Sequence, residues 1–431
     1  MRIAIKSNLS SYKNKVILLV CDGLGDRPYQ PADGKTPLQA AYTPNLDAIS
    51  EAGINGLIDI ISPGIVPGSD TAHLSLFGYD PYRYYPGRGV FEALGADMEL
   101  QKGDVAFRAN FATVDANMRI KDRRAGRKGS KELAEVLNGL EIDGVKILLE
   151  NTTDHRCAVV MRSNGGTLSR YVSDVDTHEA GGVIQKCEPL NEAAVDGEGG
   201  SDGEGARKTA SIVNRFIKMS YELLDEHPVN AARREKGELP ANIVLLRGAG
   251  SFKRVIPVKE RFGFSAACIA GVSLYSGVAK YLGMDVLAHR YAGEMLDTDT
   301  DLQNKAEAAL QALKEHDFVF VHVKDSDNYG HDGDFEGKKN IISRIDKELV
   351  ARLKDADAYI AVTGDHSTPV SLKRHSSDPV PLVIKGDGVR KDNVKKFDEF
   401  SVAYGGLGRI KGTDLMPILS DFMGFYMMYG T

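Results

Sequence analysis

Residues 16–26 read VILLVCDGLGD. The stretch begins with six apolar residues and then breaks into Asp22 and Gly23. This pattern is typical of a buried parallel strand that ends in a loop. It predicts that Asp22 lies at the carboxyl end of a strand in an α/β sheet, which is where such sheets build their ligand sites.

Two later stretches repeat this arrangement. Residues 318–334 read FVFVHVKDSDNYGHDGD, and residues 359–366 read YIAVTGDH. Each apolar run is followed by a loop that carries acidic residues and histidines. Because the carboxyl ends of parallel strands meet at one edge of a sheet, these side chains are expected to lie close together.

Helical patterns separate the apolar runs, for example over residues 304–315 and 340–353. Alternation of strands and helices is typical of a doubly wound α/β fold. The outer parts of the chain, residues 1–104 and 255–431, are therefore predicted to form one discontinuous α/β domain that binds metal and carries out catalysis.

The middle of the chain, residues 105–254, has a different pattern. Short strands are predicted around Asn110, Lys146 and His155, and a long polar helix is predicted from about residue 208. An acidic, glycine-rich stretch over residues 195–206 predicts a mobile loop, because it cannot bury apolar area. We expect a smaller inserted α/β (α+β) domain.

The composition excludes several classes of protein. Apolar residues make up 42% of the 431 residues and charged residues 26%, which excludes disorder as the overall state. The net charge of −6 lacks the basic excess of nucleic-acid-binding proteins. The four cysteines are far apart, and the first residues lack the apolar stretch of a secretory signal. We expect a cytoplasmic protein without a nucleic-acid or membrane partner.

The loops after the three apolar runs contain residues that commonly bind metal ions. These candidate ligands are Asp22, Asp327, His331, Asp365, His366 and His375. Six ligands suit two ions, a common arrangement in phosphoryl transfer. Mixed carboxylate and imidazole ligands favour Mn²⁺, Zn²⁺, Co²⁺ or Fe²⁺ over Mg²⁺ or Ca²⁺. Each residue taken singly is equally compatible with a helix cap or an ion pair.

One of these loops also approaches the pattern of a calcium-binding EF-hand. Asp325, Asp327, Gly330 and Glu336 match the first, third, sixth and twelfth positions of such a loop. Tyr329 stands where an oxygen ligand is required, and the preceding segment has a strand pattern where an EF-hand has a helix. A calcium-binding or scaffold protein without catalysis is therefore the least favoured hypothesis.

Ser69 is the candidate nucleophile. It lies in PGSDTA, residues 67–72, just before a helical pattern, and Gly-Ser-Asp is commonly an ordinary helix N-cap. A serine hydroxyl at a helix N-terminus and next to a divalent ion is also a good phosphoryl acceptor. The G-x-S-x-G frame of a serine-hydrolase elbow is absent around this residue.

Longer motifs along nearly the whole chain carry a family resemblance. They include CDGLGDRP (21–28), PGSDTAHLSLFGYDP (67–81), DRRAGR (122–127), DHRCAVVMR (154–162), KDSDNYGHDGD (324–334), TGDHSTP (363–369) and HSSDPVP (375–381). In combination they resemble the archaeal-type cofactor-independent phosphoglycerate mutases of the alkaline phosphatase superfamily. The resemblance implies an alkaline-phosphatase-like fold and the interconversion of 3-phosphoglycerate and 2-phosphoglycerate in glycolysis and gluconeogenesis, without 2,3-bisphosphoglycerate.

The resemblance also implies roles for the candidate ligands. One metal ion would be held by Asp327, His331 and His375, and the other by Asp22, Ser69, Asp365 and His366. Ser69 would become phosphoserine. Because water would hydrolyse a phosphoserine, the inserted domain over residues 105–254 is then expected to act as a substrate-clamping lid that excludes water. The preferred metal is manganese, with zinc or cobalt as alternatives. The chain departs from the family at Thr177, where the family usually has proline, and in the added stretch over residues 195–206.

A phosphoglycerate carries a phosphate and a carboxylate, for which arginine supplies paired donors. The candidate substrate-binding residues are Arg124, Arg127, His155, Arg156, His178 and Arg247. Arg123 is expected to be solvated instead. Lys324 is a candidate catalytic residue that neutralises charge on the transferring group. Because fold and metals do not fix the substrate, a metal-dependent phosphomonoesterase or another phosphotransferase of the superfamily is the alternative.

Overall fold

The computed structural model describes residues 5–6, 15–128, 131–152, 154–176, 181–191, 202–287 and 301–426. The chain divides into two compact units. The first unit comprises residues 1–85 and 255–431, and the second comprises residues 86–254.

A mixed eight-stranded sheet forms the centre of the first unit. In spatial order its strands are β11 (Asp285–Val286), β10 (Ala266–Ile269), β12 (Phe318–Val323), β2 (Val16–Cys21), β13 (Tyr359–Thr363), β14 (Val380–Lys385), β3 (Ile54–Asp59) and β15 (Gly408–Lys411). Neighbouring strands are parallel, except that β14 is antiparallel to both β13 and β3. A separate antiparallel pair consists of β1 (Ile5–Lys6) and β16 (Phe425–Tyr426).

Helices connect these strands. Their bounds are Pro37–Ala40, Pro44–Ala52, Ser69–Leu76, Pro81–Tyr84, Val258–Phe262, Ser273–Tyr281, Leu302–Glu315, Asp325–Asp332, Phe335–Arg344 and Gly412–Phe422. The helix Phe335–Arg344 continues through a π-helical segment, Ile345–Val350, into Ala351–Leu353. Short 3₁₀ turns lie at Gln30–Ala32 and Val402–Tyr404. None of the helices in the described ranges has both the length and the hydropathy needed to span a membrane.

Strand β2 is buried along its whole length, as its apolar sequence predicts. Ile17 and Leu19 belong to an apolar cluster with the helices that cover one face of the sheet. On the other face, the ring of Phe77 lies 6.5 Å from that of Phe318 and 5.0 Å from that of Phe320. Helices therefore cover both faces, which confirms the predicted doubly wound α/β fold.

An antiparallel sheet forms the centre of the second unit. Its strands are, in spatial order, β5 (Ile120–Asp122), β4 (Val105–Val114), β8 (Arg156–Ser163), β7 (Val145–Asn151) and β6 (Glu141–Ile142), and β9 (Ile243–Ser251) also pairs with β4. The helices of this unit are Arg88–Gly95, Lys131–Leu137, Asp202–Leu224 and Pro228–Glu235, with a short turn at Ala125–Arg127. One apolar cluster joins the helix Asp202–Leu224 to the sheet.

Two boundaries in this unit differ from those expected. The unit begins at residue 86, and not at 105, because the helix Arg88–Gly95 packs on β4. The contact is close: a Cβ on Gly89 would lie 2.1 Å from the carbonyl oxygen of Ala106. The long helix begins at Asp202, so residues 202–206 are helical where a mobile loop was expected. Residues 195–201 lie outside the described residues, and the lid role of this unit remains a prediction.

A buried ion pair ties two loops of the first unit together. Lys338 is 0% exposed, and its Nζ donates to Asp26 Oδ2 at 2.8 Å, to the Gly25 carbonyl oxygen at 3.1 Å and to that of Thr368 at 2.9 Å. Gly25 and Asp26 follow β2, whereas Thr368 follows β13. Asp26 Oδ2 also accepts from the backbone N–H of Val370 at 3.1 Å.

Replacing Lys338 by a neutral side chain of similar length is expected to destabilise the fold. In Lys338→Met, the Asp26 carboxylate remains buried without its cation. Removing one partner of a buried ion pair lowers the free energy of unfolding by about 3–5 kcal/mol. The measurement is urea unfolding followed by circular dichroism. The matched control is Lys339→Met, which breaks an ion pair with the exposed Glu336 and should cost less than about 1 kcal/mol. Equal losses in the two variants would contradict this account.

Candidate active site

The predicted metal ligands follow three neighbouring parallel strands. Strand β2 lies between β12 and β13, so the loops after the three strands begin at the same edge of the sheet. The side chains there form two groups in which all ligand atoms lie within 4.8 Å of one another. One group contains Asp22, Asp365 and His366, and the other contains Asp327, His366 and His375.

His366 lies at the centre of the first group. Its Nε2 is 3.3 Å from Asp22 Oδ1, 3.4 Å from Asp365 Oδ2 and 3.3 Å from Ser69 Oγ. The two carboxylate oxygens are buried and accept no hydrogen bond within the described ranges. Because an unpaired buried carboxylate oxygen is costly, this donor set has the character of a cation site with mixed oxygen and nitrogen ligands.

The second group surrounds Asp327. Its Oδ1 lies 3.5 Å from His331 Nε2 and 3.6 Å from His375 Nε2, and it accepts a hydrogen bond from Thr368 Oγ1 at 2.7 Å. Of the three residues predicted to share an ion, Asp327 and His375 belong to this group, whereas His331 lies near Asp327 and His366 takes the third place. The EF-hand hypothesis is wrong for this segment, because Asp325–Asp332 forms a helix directly after strand β12.

Asp22 is held so that only one of its oxygens faces the ligand group. Its Oδ2 accepts from the hydroxyl of Tyr275, lies 3.2 Å from His322 Nε2 and accepts from Lys324 Nζ at 3.0 Å. Burial acts to raise the pKa of Asp22, but Lys324 and the histidines hold this pKa well below its usual value. Burial and the charge of Asp22 raise the pKa of Asp365.

Sequence reasoning missed Tyr275 and His322, although a histidine within an apolar strand was a usable signal.

Lys324 stands between the two groups. Its Nζ donates to Asp327 Oδ2 as well as to Asp22 Oδ2. Although burial opposes the charged form, the two carboxylates raise the pKa of Lys324 above its usual value. A permanent positive charge therefore lies beside the carboxylates.

Ser69 is the first residue of the helix Ser69–Leu76, and its side chain does not cap that helix. Thr71 instead bonds to the backbone of the N-cap residue Gly68. Its Oγ1 donates to the Gly68 carbonyl oxygen at 3.0 Å and accepts from the Gly68 N–H at 3.2 Å. The Ser69 hydroxyl is thereby left to face His366, so the N-cap interpretation of this serine is wrong. His73 Nδ1 lies 2.7 Å from the Ser69 carbonyl oxygen and fixes the backbone at this point.

The second unit contains a pocket of about 150 Å³ that is rich in arginine. Its lining consists of Arg108, Asn110, Arg123, Arg124, His155, Arg156 and Arg247. Arg108 and Asn110 point away from the apolar core because side chains alternate along β4. Across the sheet, Arg108 is paired with Arg247 and Asn110 with Arg156. Like charges on paired strands repel, so this arrangement favours binding of an anion.

Two carboxylates position the arginines. Glu92 Oε1 lies 3.4 Å from Arg108 Nε. Asp176, which is 2% exposed, accepts from Arg123 Nε at 2.8 Å and from a second nitrogen of that guanidinium at 2.6 Å. Arg247 Nε lies 3.8 Å from the same carboxylate. The expectation that Arg123 is solvated is therefore wrong, because it forms a paired contact with a buried carboxylate.

The predicted substrate-binding residues do not all lie in this pocket. Arg124, His155, Arg156 and Arg247 belong to its lining. Arg127 is exposed and outside the lining, in a turn where Gly126 and Arg127 have φ values of +69° and +58°. His178 lies outside the described residues.

Sequence reasoning missed three residues of the pocket. Arg108, Asn110 and Arg123 are in its lining but were not among the candidates. Arg108 and Asn110 interrupt the apolar sequence VAFRANFATV of β4, and this was the available signal.

The chain is similar to several known proteins over almost its full length. A family profile described as 2,3-bisphosphoglycerate-independent phosphoglycerate mutase matches residues 50–230. A protein of that name from Methanosphaera stadtmanae is 46% identical over 420 residues, 96% of this chain and 100% of the relative. A 2,3-bisphosphoglycerate-independent phosphoglycerate mutase 1 from Methanocaldococcus jannaschii is 45% identical over 424 residues, 97% and 99% of the two chains.

Solved structures agree with these relatives. A protein from Pyrococcus horikoshii has a TM-score of 0.79 and 36% identity, covering 97% of this chain and 99% of that one. A cofactor-independent phosphoglycerate mutase from Thermoplasma acidophilum has a TM-score of 0.67 and 36% identity, covering 95% and 99%. The resemblance drawn from the sequence motifs is confirmed.

The pocket is expected to keep His155 neutral. Burial lowers the pKa of this histidine to about 4, and the charges of Arg156 and Arg124 act in the same direction. Its ring should therefore stay uncharged from about pH 8 down to about pH 5. An NMR titration of the His155 ring protons measures this pKa.

The variant Arg156→Met removes one positive charge and should raise the pKa of His155 while burial still keeps it below about 6.5. The control is Arg215→Met, because Arg215 pairs with Asp143 and does not line the pocket. A midpoint near pH 6.5 in the unmodified protein would show that His155 is not shielded as described.

Proposed function

The chain belongs to the family of 2,3-bisphosphoglycerate-independent phosphoglycerate mutases, and we propose that it interconverts 3-phosphoglycerate and 2-phosphoglycerate through a phosphorylated Ser69. The observation that carries this proposal is the placement of Ser69 Oγ. It lies 3.3 Å from His366 Nε2, beside two buried carboxylate oxygens that have no hydrogen-bond partner within the described ranges. A hydroxyl in this position is suited to act as a nucleophile.

The donor chemistry of the site fits two divalent metal ions. Asp22, Ser69, Asp365 and His366 would hold one ion, and Asp327, His331 and His375 would hold the other. The oxygens of Asp22 and Asp365 that have no hydrogen-bond partner in the described ranges support the first of these assignments, and the short distances from Asp327 Oδ1 to His331 and His375 support the second. Such ions, when bound, lower the pKa of a ligated hydroxyl and offset negative charge on phosphoryl oxygens. We assign manganese because the mixed oxygen and nitrogen ligands suit it better than calcium or magnesium, with zinc or cobalt as alternatives.

The protein's own residues act on the phosphoryl group in two transfers. In the first, Ser69 Oγ loses its proton and bonds to phosphorus, the bond from phosphorus to the glycerate oxygen breaks, and that oxygen takes up a proton. In the second, the other hydroxyl of the glycerate loses its proton and bonds to phosphorus, the bond from phosphorus to Ser69 Oγ breaks, and Oγ takes up a proton. Lys324 supports both transfers by placing a positive charge beside the carboxylates, where it offsets negative charge on the phosphoryl oxygens.

The arginine pocket of the second unit supplies the anion-binding chemistry that the substrate requires. Five guanidinium groups line it, and each offers donors in the planar arrangement that carboxylate and phosphate accept. We assign Arg124, His155, Arg156 and Arg247 to substrate binding on this ground. The roles of Arg127 and His178 remain predictions from the resemblance.

Water must be excluded for the reaction to be a mutase reaction. A phosphoserine that water can reach is hydrolysed, and the enzyme would then act as a phosphomonoesterase, which is the alternative function. The proposed lid role of the second unit serves this need.

A cytoplasmic location is also proposed, since all four cysteines are free thiols and buried.

Removal of the nucleophile is the first test. Ser69→Ala should lose essentially all mutase activity and all phosphoserine, while two ions per chain are still bound, because six other ligands remain. Activity is measured by coupling to enolase in the absence of bisphosphoglycerate, phosphoserine by peptide mass spectrometry and metal content by elemental analysis. Ser75→Ala is the matched control, because Ser75 is buried on the same helix but donates to the Ile60 carbonyl oxygen. Full turnover in Ser69→Ala would refute covalent catalysis.

Metal removal and isotope labelling separate the two candidate functions. Chelation should abolish turnover of 3-phosphoglycerate, and addition of Mn²⁺ should restore it, because the site depends on divalent ions. In ¹⁸O-labelled water the product should carry no label and free phosphate should stay negligible, since the phosphoryl group passes only through Ser69. Labelled phosphate released at the rate of turnover would favour the phosphomonoesterase.

A further inference from the structure

The arginines of the pocket cannot accept hydrogen bonds, although a phosphoglycerate has a group that donates one. Guanidinium groups donate hydrogen bonds and accept none, so the five arginines cannot accept a hydrogen bond from the O–H of a ligand. A phosphoglycerate also has a free hydroxyl group, whose O–H needs an acceptor when it is buried. Within the lining, the residues that can accept this hydrogen bond are Asn110 and His155.

Asn110 has a free acceptor in the right place. The residue is 4% exposed, and its Oδ1 has no hydrogen-bond partner in the described part of the chain. Its backbone pairs with Arg156 of β8 and Leu245 of β9, so the side chain is fixed on the pocket face of the sheet. A buried amide oxygen without a partner lowers stability, and a ligand group or a water molecule that donates to it removes this cost.

His155 provides a second acceptor beside it. This residue is 6% exposed, and its Nδ1 also has no partner within the described ranges. Since the ring is neutral, one of its nitrogens carries a lone pair. The backbone N–H of Phe111, next to Asn110, donates to the His155 carbonyl oxygen at 2.7 Å, which holds the two residues side by side.

We propose that Asn110 is a specificity-determining residue that accepts a hydrogen bond from the free hydroxyl group of the substrate, with His155 as the neighbouring acceptor. The pocket then selects phosphorylated hydroxy acids over phosphorylated acids that lack a hydroxyl group. A site built to pair with a hydroxyl rejects an analogue without it, because its own buried polar atom stays unpaired. This inference rests on the proposed mutase function and adds to it the group that distinguishes the substrate.

The test compares 3-phosphoglycerate with 2-phosphoglycolate, which has the phosphate and the carboxylate but no hydroxyl. The metal-loaded full-length enzyme is assayed with enolase, giving KM for 3-phosphoglycerate and the inhibition constant of 2-phosphoglycolate. Asn110→Leu keeps the size of the side chain and removes the acceptor. We expect KM to rise about tenfold or more while the inhibition constant changes less than about threefold.

Two further variants make the result specific. Asn110→Ala, which cannot overfill the pocket, should give the same selective rise in KM if Asn110→Leu does not fold. Thr113→Val lies on the same strand but outside the pocket, where its hydroxyl donates to the Pro240 carbonyl oxygen. This variant should leave both constants within about twofold of the unmodified enzyme.

The outcomes separate this inference from the function on which it rests. Parallel rises in KM and in the inhibition constant would show a merely structural role for Asn110, and unchanged constants would also overturn the inference. Both results leave the mutase function standing as long as the unmodified enzyme turns over. Absence of mutase turnover in the unmodified, metal-loaded enzyme would overturn the proposed function together with the inference.

Discussion

The buried ammonium group of Lys338 joins two loops that carry candidate metal ligands, and the geometry of the site depends on this contact. It has no access to solvent and binds three oxygens, two from the loop after β2 and one from the loop after β13. The same two loops carry Asp22, Asp365 and His366. Because a buried charge must keep its partners, the cation fixes the distance between the loops more strictly than apolar packing would. The pairing of β2 with β13 and the hydrogen bond from the Gly23 N–H to Asp365 Oδ1 at 3.0 Å hold the same two loops together, and within them His366 Nε2 lies 3.3 Å from Asp22 Oδ1 and 3.4 Å from Asp365 Oδ2.

The cluster of carboxylates and histidines was predictable because each of its parts is a local pattern. An apolar run that ends in acidic residues and histidines marks the end of a buried strand, and three such runs in one parallel sheet must meet at one edge. The residues that orient the cluster were not predictable in the same way. Tyr275 reaches Asp22 from a helix that begins more than 250 positions later, and no local pattern marks a tyrosine for that contact.

The arginine pocket shows a second limit of sequence reasoning. Which arginines gather there depends on strand register, since Arg108 meets Arg247 only through the pairing of β4 with β9. A shift of one residue would place the same side chains in the apolar core. Arg124 and Arg127 belong to one short motif, yet only Arg124 lines the pocket, because the turn at Gly126 separates them.

Each unit brings like charges close together, carboxylates in the first unit and guanidinium groups in the second. In the first unit, carboxylate oxygens of Asp22 and Asp365 face one another across His366 without hydrogen-bond partners in the described ranges. In the second unit, guanidinium groups crowd one face of a sheet, and burial together with neighbouring arginines lowers the pKa of Arg108 to about 9. Each conflict lowers the stability of the empty protein and is relieved by a ligand of the opposite charge.

The position of the second unit within the chain bears on how the protein is made. Strand β2 leaves the ribosome early, but its neighbours β12 and β13 begin only at Phe318 and Tyr359. The strands of the second unit, by contrast, all lie between Val105 and Ser251, and the N–H of Ser251 donates to the carbonyl oxygen of Pro86 at 2.9 Å, which closes the segment on itself. Domains fold as units during synthesis. The inserted segment is therefore complete before the partner strands of β2 have been made, and during that interval the apolar strand VILLVC remains unpaired.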